Sequence, residues 1–347
     1  MSLTILNQIA AEIGVSRWTV SRVLRGEATY VQRAASERAQ LIRDRAAELG
    51  YRPNAAAQAI GRGRFDTLAL LSSAEESEYV SLPLLFGLLN EAQRCRQHVV
   101  CERLPDGMLG TTFGATPQLP RLLERTSCDV VLFHGIGTTP ATLTEFAATS
   151  SMPFVWVNAR RKHDSVYLDD KRGGAEVTRA LLQAGHRRIA LVTSSAERIH
   201  SSARERQKGY ESEMRKAGLA TNVVRLDEPQ LFGHDPSPAE TLGPLLNRRD
   251  RPTAVLGVDQ AMAAMVLVQA YRQGLRVPAD LSVAGFGSSI SNQTGVRMAL
   301  GLTPDSEMGR AAVTMALEKV KAPDVPVPAV RLRLRFEPLD TIAPPPK

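Results

Sequence analysis

Cysteine is scarce in this chain. The three in 347 residues, Cys95, Cys101 and Cys128, form no Cys-x-x-Cys pair. An odd, scattered set excludes a disulfide framework, argues against a metal site and fits the reduced thiols of a cytoplasmic protein. No run of about 18 apolar residues occurs, so no membrane-spanning helix is expected. The N-terminus lacks a basic stretch followed by an apolar one, which argues against export. Lysine is missing from the first 64 residues, which hold ten arginines against five acids. The other 283 residues hold 33 basic and 31 acidic groups, so most of the formal charge of +7 sits in less than a fifth of the chain. Such a concentration points to a polyanionic partner for that segment. Arginine without lysine favours forked hydrogen bonds to phosphate or guanine over a diffuse positive field.

What is present begins with residues 5–25, ILNQIAAEIGVSRWTVSRVLR. Leu6, Ala10 and Ile13 share one face of a first helix, and Gly14 supplies a turn. Ser16 is a good N-cap, with Val15 and Val20 at the positions of a hydrophobic staple. In the second helix Val20, Val23 and Leu24 point inward. Arg17, Trp18, Ser21, Arg22 and Arg25 gather on the opposite face. A face of guanidinium, indole and hydroxyl suits phosphates and base edges. The bland alternative is an amphipathic hairpin with a solvated basic face.

A third helix is expected over about 33–49, where Ala35, Ala39, Ile42, Ala46 and Leu49 form one apolar stripe, and Gly50 ends it. Its core is small, which predicts a headpiece of marginal stability. In residues 51–64, Pro53 and Asn54 could open a short helix through the alanines. A flexible linker is equally compatible with the composition, since a helix that short is unstable alone.

From Asp66 onward, short apolar runs alternate with helical stretches. Candidate strands are 67–71, 99–102, 130–133, 154–157, 189–193, 254–258 and 281–286. This is the pattern of α/β architecture, parallel sheets covered on both faces, with ligands beyond the carboxyl ends of the strands. Arg331, Arg333 and Arg335 alternate as one solvated strand face. His186, Arg187 and Arg188 suit a helix C-terminus, and Asp169 and Asp170 suit the cap of the next helix. No motif combines a nucleophile, a base and an orienting acid, so neither an enzyme nor a cofactor is expected.

The strings GVSRWTVSRVL and LGYRPNAAAQAI resemble the headpiece and hinge helix of the lactose/galactose-repressor (LacI/GalR) family of bacterial transcription regulators. The resemblance continues through GGA at 173–175, LQAGHRRIAL at 182–191, RQKGY at 206–210 and GLRVPADLSVAGF at 274–286. It implies a helix-turn-helix headpiece at 1–50, a hinge helix and linker at 51–64, and an effector-binding and dimerisation core at 65–340. The core would be a two-lobed type I periplasmic-binding-protein-like fold. Its N-lobe would span about 65–161 plus 294–327, its C-lobe about 162–293 plus 328–340, leaving 341–347 as a tail.

The same resemblance implies a repressor that binds a palindromic DNA operator as a homodimer, under control of a small-molecule effector such as a sugar. By position, Arg17, Trp18 and Arg22 would read bases. Ser16, Thr19, Ser21 and Asn54 would anchor phosphates, and Ala57 and Ile60 would lie in the minor groove. Asn158, Arg206, Phe232 and Asp259 would face the effector, with Ser72, Tyr79 and His134 as further candidates. Two usual polar positions differ: an Asn-Asp pair is Val258-Asp259, and GFDD is Gly285-Phe286-Gly287-Ser288. Each buried unmatched ligand hydroxyl would cost about 1–3 kcal/mol, so other residues must replace those contacts or the effector is not a simple sugar. A DNA-binding regulator without any small-molecule switch stays open. A solute-binding protein fits the lobes but not the arginine-rich headpiece.

Overall fold

The computed structural model describes residues 2–25, 33–52, 63–72, 80–104, 127–135, 141–195, 200–227, 238–290 and 295–346. The chain divides into two compact units, Met1–Asp66 and Thr67–Lys347.

The first unit contains α1 (Ser2–Ile13), α2 (Arg17–Leu24) and α3 (Arg33–Glu48). Gly14 takes the left-handed conformation at φ +71°, which lets the chain turn without a Cβ clash. Ser16 caps α2, its Oγ accepting the Thr19 N–H at 3.1 Å. Ile9, Val20, Val23, Ala39 and Ile42 are buried together, with Val15, Leu24 and Leu49 packed at their margin. Arg45 on α3 donates through Nε and Nη2 to both carboxylate oxygens of Glu12 on α1, at 2.5 and 3.0 Å. This forked contact fixes the angle between two helices whose shared core is small.

The second unit holds two six-stranded sheets. Its strands are β1 (Thr67–Ser72), β2 (His98–Arg103), β3 (Val130–His134), β4 (Phe154–Val157), β5 (Ser165–Leu168) and β6 (Ile189–Ser194). The rest are β7 (Asn222–Leu226), β8 (Ala254–Gly257), β9 (Ser282–Gly287), β10 (Ala299–Leu302), β11 (Val330–Leu332) and β12 (Arg335–Glu337). The helices are α4 (Leu82–Arg94), α5 (Ala141–Thr149), α6 (Asp170–Gln183), α7 (Ser201–Lys216), α8 (Pro238–Asn247), α9 (Gln260–Arg272) and α10 (Asp305–Lys321). One sheet runs β11-β5-β4-β3-β1-β2, all parallel. The other runs β12-β10-β9-β8-β6-β7, parallel except for β12 against β10. The inner strands β3, β4, β6 and β8 are buried at every residue, as continuous apolar runs require when helices cover both faces. Among the described residues no helix is long and apolar enough to cross a membrane.

Strand pairing moves the lobe boundaries away from those expected. Ser165–Leu168 pairs with β4 and belongs to the first lobe, whereas 162–293 was expected in the second. Ala299–Leu302 pairs with β9 in the second lobe, not the first. Val330–Leu332 returns to the first lobe beside β5, and Arg335–Glu337 crosses again to β10. The alternating Arg331 and Arg335 therefore sit in two different sheets. Each of these strands has only three or four residues, and their apolar content does not say which sheet supplies their hydrogen bonds.

The segment expected as a tail begins inside the second lobe. Thr341 is fully buried; its Oγ1 donates to the Val283 carbonyl at 2.6 Å and accepts the Ala299 N–H at 2.8 Å. His186, expected to cap a helix, is buried instead, its ring joining Thr253 Oγ1 and the Ala343 carbonyl, each at 2.9 Å. Arg187 does take the capping role, donating to the Leu182 carbonyl at 3.0 Å.

Candidate nucleic-acid interface and interlobe cleft

On α2 the buried Val20 and Val23 turn the opposite side of the helix outward. Trp18 is 62% exposed, unusual for so large an apolar ring, and the Arg22 guanidinium carbon lies over it, 4.6 Å from its centroid. Arg17 is exposed, while Ser21, Arg22 and Arg25 are half-buried. Neither Arg17 nor Arg22 has a carboxylate partner among the described residues. Ser16 Oγ and Thr19 Oγ1 lie 2.9 Å apart, and one of their two protons is spent between them, leaving the other to donate outward. Asn54, Ala57 and Ile60 lie outside the described residues.

The second site lies between the lobes, where the carboxyl ends of both sheets face a cavity of about 240 Å³. Asn158, Arg206 and Asp259 all line it, so three of the four expected cleft residues come together. The fourth, Phe232, lies outside the described residues, as does Tyr79. A second cavity of about 220 Å³ shares Asn158 and Leu168 with the first.

Arg206 is held by the packing of α6 on α7. The two helices approach so closely that a Cβ on Gly174 would meet the Arg206 carbonyl oxygen at 2.2 Å, and one on Gly209 would meet that of Lys171 at 2.2 Å. This contact brings Asp170 against Arg206, which donates to Asp170 Oδ1 and to the Val258 carbonyl, each at 2.8 Å. Asp169 and Asp170 were expected as caps. Asp169 occupies the N-cap position without a side-chain cap bond, and Asp170 is buried as the arginine's counter-ion. Burial raises the Asp170 carboxyl above its ordinary range, opposed by Arg206. The guanidinium carbon also lies 4.6 Å from the Phe286 ring centroid, so one edge of the cleft is a cation stacked on an aromatic ring.

Asn158 follows β4 in the left-handed conformation, at φ +60°. Its carbonyl lies 3.2 Å from His200 Nε2. The Ser202 backbone N–H donates to His200 Nδ1 at 3.1 Å, which fixes the proton on Nε2 and makes that atom the donor to Asn158. His200 is the N-cap of α7 and so joins the two lobes across the cleft. His134, at the end of β3, is buried, and its Nδ1 has no hydrogen-bond partner among the described residues. Burial lowers both imidazoles to about 4, so both are neutral at pH 7.

The sequence singled out neither His200 nor Asp305. Asp305 opens α10, accepts the Ser81 hydroxyl at 2.5 Å and has its carboxyl raised by burial. Asp305 reads as an ordinary first-turn acid, and no periodicity marks His200.

The two altered polar positions have a local account. Val258 contributes its carbonyl to Arg206, a backbone contact for which the side chain is irrelevant. At Gly287 a Cβ would lie 2.3 Å from Gln260 Oε1, so the Gln260 amide occupies the space an aspartate side chain would need. Asp259 keeps its place as the N-cap of α9, its Oδ1 accepting the Met262 N–H at 2.8 Å.

An arginine-faced helix-turn-helix unit, followed by two parallel-sheet lobes around a polar cavity, is the build of a DNA-binding regulator with a sensor module. Residues 5–54 match the model of bacterial regulatory proteins of the lacI family, and residues 178–338 match a periplasmic binding protein-like domain. The chain is 26% identical over 329 residues to the ribose operon repressor of Haemophilus influenzae, covering 92% of each. It is 27% identical over 324 residues to the transcriptional regulator GalS of Salmonella typhimurium, covering 90% of this chain and 89% of that one. Its fold matches the Lac repressor dimer bound to operator with a TM-score of 0.77 at 19% identity, over 96% of this chain and 98% of that one. The chain thus joins a lacI-family helix-turn-helix domain to a periplasmic binding protein-like domain.

Proposed function

We propose that this protein is a sequence-specific transcriptional repressor that binds a palindromic operator as a homodimer and responds to a small polar effector in the interlobe cleft. The observation that carries the reading is the outward face of α2: Arg17, Trp18 and Arg22 on a Ser16-capped helix, with no carboxylate to neutralise the two arginines among the described residues. Arg17 and Arg22 reach base edges in the major groove, and Ser16, Thr19 and Ser21 hold phosphates. By resemblance Asn54 also holds phosphate, with Ala57 and Ile60 in the minor groove. A DNA partner places the protein in the cytoplasm. Residues 1–50 act as the headpiece, 51–64 as the hinge and 65–340 as the sensor and dimer module.

Two exposed apolar faces support self-association. Leu82, Phe86 and Leu89 lie along one side of α4, and Val268 and Tyr271 along one side of α9. A two-fold dimer carries two headpieces, one for each half-site of a palindrome. The effector contacts are Asn158, Arg206 and Asp259, with Phe232 assigned by resemblance, and a neutral polar metabolite such as a sugar suits them. The test is selection of bound duplexes from a random pool, followed by anisotropy against the winning sequence with and without candidate metabolites. A selected palindrome supports the reading, and binding that ignores sequence overturns it.

A further inference from the structure

Trp18 and Arg22 are four residues apart on α2, one above the other on a single face. The Arg22 guanidinium carbon sits 4.6 Å from the centre of an indole that is 62% exposed. A free arginine side chain samples many rotamers, and ordering it at a base edge opposes binding. Resting on a ring removes much of that freedom before DNA arrives. Tryptophan is the strongest aromatic partner for a cation, and the contact engages the ring's face. The guanidinium's N–H donors lie in its own plane, and no carboxylate among the described residues competes for them. They remain available for guanine O6 and N7.

We propose that Trp18 is a positioning residue for Arg22 and not an independent base reader. On this view the preference for guanine at one position of each half-site belongs to the indole–guanidinium pair. The inference rests on the proposed role of α2 as the reading helix. It goes beyond that role by assigning one column of the operator to two residues acting as a unit.

The test is selection from a random duplex pool with the full-length protein. Wild type is compared with Arg22→Ala, Trp18→Ala, Trp18→Phe and the Trp18→Ala/Arg22→Ala double variant, each checked by circular dichroism for an intact helical signal. Arg22→Ala should lower the guanine preference at its position by roughly tenfold to a hundredfold. Trp18→Ala should relax the same column, by about twofold to fivefold if the stack stays hydrated and up to about thirtyfold if DNA dries it. Trp18→Phe should restore most of the preference, and the double variant should resemble Arg22→Ala alone.

The proposal is overturned if Trp18→Ala leaves the guanine column intact. It is equally overturned if that variant relaxes a different column, such as a thymine whose methyl packs on the indole, with effects that multiply in the double variant. A wild-type pool without any palindrome overturns the regulator reading itself, which is a separate result.

Discussion

Arg206 grips a single oxygen of Asp170 twice, through Nε and Nη2, both at 2.8 Å, with each side chain more than nine-tenths buried. Two opposite charges taken out of water depend on one another. Arg206→Ala leaves a carboxylate buried without its partner and should destabilise the core by about 3–5 kcal/mol. Asp170→Asn keeps a hydrogen-bond acceptor and should cost less. Urea unfolding of both variants checks this, and a loss below about 1 kcal/mol for Arg206→Ala would show that Asp170 is readily resolvated or neutralised.

Gly287 and Gln260 should behave as a matched pair. Gly287→Asp alone places a Cβ against Gln260 Oε1, the far end of a flexible side chain, and should cost about 0.5–1.5 kcal/mol as that amide is pushed from its rotamer. Adding Gln260→Ala should recover most of that loss. Thermal melts of the single and double variants form the cycle; additive losses would mean that the crowding lies elsewhere.

Acid should weaken the core as its buried histidines are forced to protonate. His134 and His200 are lowered to about 4 in the folded protein, from an ordinary value near 6.5, and burial lowers His186 as well. A histidine kept neutral by folding contributes stability that is complete above pH 6.5 and is lost as pH falls toward 4. The combined loss should be on the order of a few kcal/mol. His200→Asn retains an N-cap side chain and should remove part of the pH slope. Denaturation at pH 7 and pH 4.5 measures it. A flat profile in that window would mean the imidazoles are not sequestered.

In the headpiece, Ile9 is fully buried among few neighbours. Ile9→Ala should cost about 2–5 kcal/mol, comparable with the whole stability of so small a unit. Operator affinity should collapse while the second unit keeps its melting transition. Retained DNA binding would show that the headpiece has stability in reserve.

Much of the fold is legible in the order of the residues. Gly14, Ser16 and the 3.6-residue spacing of Leu6, Ala10, Val20, Val23 and Ile42 specify a local structure that hardly depends on the rest of the chain. The buried strands around Val130, Phe154, Ile189 and Ala254 were visible as continuous apolar runs. In the cleft, Asn158, Arg206 and Asp259 are each marked by the resemblance to the family's motifs and strand ends, and all three line the cavity. His200 and Asp305 carried no such mark. Each sits at a helix start where many residue types are tolerated, and each becomes a cleft residue only because the other lobe faces it.

Local chain physics thus determined the helices, their caps and turns, the inner strands and the excess of arginine on one outward face. Those features depend on neighbours within about a turn or a strand length, which the linear order supplies. Long-range packing decided which sheet adopted each short strand and turned Asp170 from a cap into the counter-ion of Arg206. It also linked His200 to Asn158, 42 positions away. Hydrogen-bond partners and burial at such separations depend on where whole helices and sheets come to rest, and no window of sequence contains that.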